Sequence, residues 1–143
     1  MSETDRIKKI IPIMNEVSPT FCLAKWHHTS IYLHTGQTHS CYHPRPHIIR
    51  LLEIAQDPSA LHNTHQKIEE RRQMIQGDKP SGCQYCWNIE AHNQLSDRHY
   101  RSGEPWAAED YEKLTIDKFT QKYGTTSLPA AICALHAELE AKP

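Results

Sequence analysis

Pro80-Ser81-Gly82-Cys83-Gln84-Tyr85-Cys86-Trp87 is the stretch around which the rest of the chain is read. Two residues separate Cys83 from Cys86, so both sulfurs can reach one metal centre from a single tight turn. Two more cysteines lie upstream, Cys22 before an expected β-hairpin and Cys41 after it. Two thiolates from a knuckle and two from a hairpin predict a four-sulfur site made of Cys22, Cys41, Cys83 and Cys86.

The hairpin follows from residue types. Residues 30–34 (Ser-Ile-Tyr-Leu-His) are rich in strand formers, Thr35-Gly36 reads as a two-residue turn, and residues 37–42 return as a second strand. That register pairs Leu33 with Thr38 and Ser30 with Cys41, which leaves Cys41 at the open end where Cys22 enters. His43-Pro44-Arg45-Pro46 cannot continue the ladder, because proline has no N–H to donate.

Helices are expected on both sides. Residues 3–11 read as a short helix broken by Pro12, with a loop over 15–19. Residues 48–55 give a turn or two. Asp57-Pro58 is a cap-and-start signal for a helix over 58–76, stopped by Gly77. Its apolar stripe is thin (Leu61, His65, Ile68, Arg72, Ile75), and Lys67, Arg71 and Arg72 are expected to face water or a partner. Residues 91–106 are polar and aperiodic and read as a linker or docking segment. Further helices are expected over 107–122 and from Pro129, the last carrying Ile132, Leu135 and Leu139 on one stripe. The fold class is therefore α+β: a small β-hairpin and a C-x2-C knuckle around a metal site, with flanking α-helices. The division is 15–90 for the metal-binding domain, 91–106 for the linker and 107–143 for a C-terminal helical region.

Bulk properties set bounds on function. A chain of 143 residues is the size of one domain with a modest core. The hydrophobic share of 38% is low, so a metal centre that adds folding free energy would help it. A formal net charge of −1 gives no general attraction to nucleic acid or to an acidic membrane. No apolar run has the length of a membrane span, and the polar, acidic start is unlike a secretory signal. Five cysteines suit a disulfide framework poorly, so a cytoplasmic, reducing location with thiols or metal ligands is expected.

Competing readings of the same residues are ordinary thiols, a thioredoxin-like redox pair and a mixed zinc site. A redox pair belongs at a strand-to-helix junction of a βαβ unit, and no such alternation exists here. His27, His28, His39, His43 and His47 lie close to the cysteines, so one of them can replace a sulfur on zinc; each is also read as an ordinary surface or hydrogen-bonding group. A histidine–metal nuclease is disfavoured because the C-x2-C follows the His-rich part rather than framing it. Cys133 reads as a small buried apolar residue outside the site. Trp26 and Trp87 either shield the centre from water or are plain core aromatics. Four thiolates suit zinc or an iron–sulfur cluster, and ligand identity alone does not decide.

One family has this order of residues. Phe21-Cys22-Leu23-Ala24-Lys25-Trp26, a hairpin with Gly36, and Ser40-Cys41-Tyr42-His43-Pro44 resemble the auxiliary-cluster "twitch" domain, the shortened relative of SPASM domains. The resemblance continues through Arg71-Arg72-Gln73-Met74-Ile75-Gln76-Gly77, Pro80 and Cys83-Gln84-Tyr85-Cys86-Trp87-Asn88-Ile89-Glu90, and through Leu95-Ser96-Asp97-Arg98 to Trp106, so that it covers roughly residues 15–106. It implies that Cys22, Cys41, Cys83 and Cys86 hold an auxiliary [4Fe–4S] cluster attached to a radical S-adenosylmethionine enzyme. The C-x3-C-x2-C motif of that enzyme's catalytic barrel is absent. The expectation is therefore an auxiliary domain, truncated or split from its barrel and not catalytic alone, with a radical SAM catalytic chain as partner. The alternative is a structural zinc module that binds a protein or nucleic acid.

Overall fold

The computed structural model describes residues 2–105 together with 137, 140 and 141. The helices expected over 107–122 and from Pro129, with Cys133, lie outside the described residues. Among the described residues the fold is small and α+β, with six α-helices and one three-stranded antiparallel sheet.

The first helix, α1, runs Glu3–Val17 and is capped by Ser2, whose Oγ accepts from the Asp5 amide at 3.2 Å. Pro12 was expected to end it and does not. The proline interrupts one main-chain bond on the exposed side, at a cost of ~3 kcal/mol. Ile7, Ile10 and Met14 are all buried on the other face, each worth roughly 1.5–3 kcal/mol. Burial wins, and the helix continues. At its end the Ser18 hydroxyl donates to the Met74 carbonyl, which fastens α1 to a later helix.

The chain then makes a single helical turn, α2 (Ala24–His27), begun by Lys25 N–H to the Cys22 carbonyl at 3.1 Å. Strands β1 (Ser30–Tyr32) and β2 (Gln37–His39) pair antiparallel with Ile31 opposite Thr38 and Ser30 opposite His39. The expected register (Leu33 with Thr38) is therefore displaced by two residues. The turn takes four residues rather than two, closed by Gly36 N–H to the Tyr32 carbonyl at 2.8 Å, with Gly36 at φ +68°. A slip of two preserves the side-chain faces. A third strand, β3 (His47–Ile48), returns to β2 after the proline-rich loop and was not foreseen.

After α3 (Leu51–Gln56), Asp57 caps only a 3-10 turn over Pro58–Leu61. The long helix expected from Pro58 begins instead at α4 (His65–Gln76), capped by Thr64 and ended by Gly77 at φ +86°. Its buried face is also not the expected one. Lys67, Glu70, Arg71 and Met74 are buried, whereas His65 and Arg72 are exposed. The polar groups tolerate this because each is bonded: Lys67 to Thr38 at 2.8 Å, Glu70 to Lys25 at 2.6 Å, and Arg71 to Asn63 at 2.5 Å.

A 3-10 turn over Ser81–Cys83 leads into α5 (Gln84–Glu90). Within the segment expected to be a linker or docking segment, α6 (Asp97–Ser102) packs against α1 and α2, with Arg98, His99 and Ser102 buried. It is part of the body of the fold. Two apolar clusters result. One joins Ile10, Met14, Phe21 and Leu23; the other joins Cys22, Ala24, Met74, Cys83 and Trp87, and Trp26 packs against both.

Candidate metal centre

Cys22, Cys41, Cys83 and Cys86 line one cavity. Cys22 comes from the loop before α2, Cys41 from just beyond β2, Cys83 from the 3-10 turn and Cys86 from the first turn of α5. The knuckle is held by one carbonyl. Pro80 accepts from the Cys83 amide at 3.1 Å and from the Trp87 indole at 2.9 Å, so the turn and the ring over it are fixed together. Lys25, Tyr42, His43, Pro44, Met74, Asp97, Arg98 and Arg101 line the remaining wall.

The thiols sit in apolar surroundings. Burial pushes the Cys22 thiol up to about 11 and the Cys83 thiol up to about 12; Cys41 and Cys86 are raised as well, burial again being the first cause. The sulfurs also act on one another. Cys41 raises Cys22, Cys83 and Cys86, and Cys22 raises Cys83, which places the four groups within electrostatic reach. Opposing these terms, amides donate to sulfur: Ala24 N–H to Cys22, His43 N–H to Cys41 and Arg98 N–H to Cys86. Such bonds favour the thiolate form that a metal requires.

Size bears on which metal fits. A closed zinc site holds four sulfurs about 2.3 Å from one point, leaving no space between them. Here the four cysteines share the wall of one cavity with other side chains. Among the described residues no group of three or more His, Cys, Asp or Glu side chains is placed to hold a metal ion. The four cysteines thus line one cavity without forming a metal-holding group.

The histidines weighed as zinc ligands are engaged elsewhere. His39 contacts the Pro44 carbonyl at 2.8 Å and the Tyr32 hydroxyl at 3.1 Å, and His47 contacts Thr64 at 2.6 Å. His43 reaches the cavity wall, yet its Nε2 lies 2.5 Å from Asp97 and its ring stacks on Tyr85 at 3.8 Å. His27 and His28 do not line the cavity.

Four charged neighbours escaped the sequence reading: Lys25, Asp97, Arg98 and Arg101. Lys25 carried a signal, being one helical turn beyond Cys22, and Asp97-Arg98 stood in the stretch that resembles the twitch domain. Asp97, Arg98 and Arg101 come from α6 and its C-terminal end, which the sequence presents as polar and aperiodic. Comparison with protein-family models, with curated proteins and with solved structures finds no match.

Proposed function

We propose that this chain carries a [4Fe–4S] cluster on Cys22, Cys41, Cys83 and Cys86 and serves as a twitch-like auxiliary domain to a radical SAM-type catalytic chain. The observation that carries the reading is that all four cysteines, from four separate parts of the chain, line one cavity. A cubane cluster binds each cysteine through its own iron, so its ligands surround a volume instead of meeting at a point. The resemblance of the residue order around the cysteines to that of twitch domains supports the same reading. When bound, the group supplies one-electron chemistry.

The chain's own residues would do the rest. Met74, Trp87 and Ala24 pack beside the cysteines and limit water. Amides of Ala24, His43 and Arg98 aim at sulfur, a lever on reduction potential. All four corners have a cysteine, so the centre suits electron transfer or structural support over activation of a ligand at an open iron. No helix among the described residues is long and apolar enough to cross a membrane.

Anaerobic purification tests the reading. Brown protein with equal molar iron and acid-labile sulfide, broad visible absorption and a reducible EPR signal supports it. Colourless protein holding one zinc per chain favours the structural zinc module and sinks the cluster.

A further inference from the structure

Lys25 is 3% exposed, lines the cysteine cavity and, among the described residues, is the one lysine that does so. Its Nζ lies 2.6 Å from Glu70 Oε2, but Glu70 is not part of the cavity wall; it lines the groove on the other side of Pro44. Lys25 thus stands in the cavity wall, and its carboxylate partner stands outside it. Arg98 also reaches the wall, but Glu90 grips its guanidinium at 2.5 and 3.0 Å.

Four thiolates around either zinc or a four-iron core leave a net negative charge, which a low-dielectric site tolerates only beside a cation. We propose that Lys25 is the built-in counter-charge of this metal centre, raising its metal affinity and its reduction potential, and that Glu70 moderates it from outside the cavity wall. The proposal rests on the reading of the four cysteines as ligands and assigns a positioning role to a residue outside the ligand set.

Opposite signs make the test. Wild type, K25M, K25R and E70Q full-length chains are reconstituted anaerobically with iron and sulfide and titrated potentiometrically by EPR. The K25M midpoint is expected to fall by a tenfold change in the reduction equilibrium, about 59 mV for a one-electron couple. E70Q is expected to rise, and K25R to stay near wild type. A merely structural lysine would move K25M and E70Q alike, or neither, and either result overturns the proposal. If K25M does not fold, K25M/E70Q compared with E70Q reads the same charge without an orphaned carboxylate. If wild type takes zinc and no iron, the cluster reading fails, and cobalt(II) competition decides the counter-charge. A tenfold weaker K25M and a tighter E70Q then support it, and equal affinities overturn it. A wild-type chain that binds neither metal ends both.

Discussion

Arg98 Nη1 donates to the Phe21 main-chain carbonyl at 2.6 Å, a bond between α6 and the residue directly before Cys22. The same guanidinium holds Glu90 at the end of α5 through Nη2 at 2.5 Å and Nε at 3.0 Å. One buried side chain thus spans the Cys22 loop, the knuckle helix and α6. Arg98→Met should lower stability by about 3 kcal/mol, since it leaves Glu90 with Ser96 as donor but no cation and removes the donor to a carbonyl. Arg98→Lys should recover only part, because a single ammonium cannot match the planar fork. Urea unfolding of the metal-free chain measures both; a loss under half a kcal/mol for Arg98→Met would mean the bond carries little.

Lys67 offers a prediction in pH. Burial, then the nearby Arg71, lower its ammonium to about 8 against an ordinary 10.5, with Glu70 opposing. The folded chain therefore releases this proton before the unfolded chain does. Between about pH 8 and 10.5 the unfolded state binds more protons, so stability rises with pH there. The penalty is complete below pH 8. Relative to Lys67→Met, wild type should gain on the order of 1–2 kcal/mol across that window, measured by urea midpoints at matched pH. A flat difference would show that the lysine is not desolvated.

Cysteine substitutions separate ligands from bystanders. Cys83→Ser and Cys86→Ser should each lower bound metal by more than half and reduce the melting temperature of the loaded protein, because binding free energy is largely folding free energy in such centres. Cys133→Ser, outside the described residues, should leave metal content unchanged. Equal metal loss from Cys133→Ser and Cys83→Ser would reassign the site.

The chain alone should not cleave S-adenosylmethionine. Cleavage needs an iron left open for the cofactor, and four cysteines close every corner of a four-iron cluster. Reconstituted, dithionite-reduced protein should give no 5′-deoxyadenosine above a cofactor-free control. Product would mean that one of the four cysteines is not a ligand.

What could be read in advance divides by range. Spacing and turn chemistry are local, so the C-x2-C knuckle, Gly77 at the end of α4 and the proline-rich break after Cys41 were legible. The face of α4 was not. Lys67, Glu70 and Arg71 look like a solvated face, and they are buried because Thr38, Lys25 and Asn63 meet them from other parts of the chain. Hydropathy periodicity does not register a partner that is distant in sequence. Nor was the helix α6 legible within the segment read as a linker or docking segment: its buried Arg98 and His99 bond Glu90 and Ser96, so polarity there marks a satisfied interior. The hairpin register failed for a smaller reason, a four-residue turn where Thr35-Gly36 suggested two.

Trp26 and Trp87 pack in the same cluster as Cys22 and Cys83. Their indoles therefore stand within a side chain's length of whatever fills the cavity. An iron–sulfur group absorbs broadly where indole emits, so a loaded chain should glow faintly under ultraviolet light and an emptied one brightly, whereas zinc would leave the emission largely unquenched. The fold would then contain its own optical gauge of occupancy, readable during assembly or oxidative decay without any added dye.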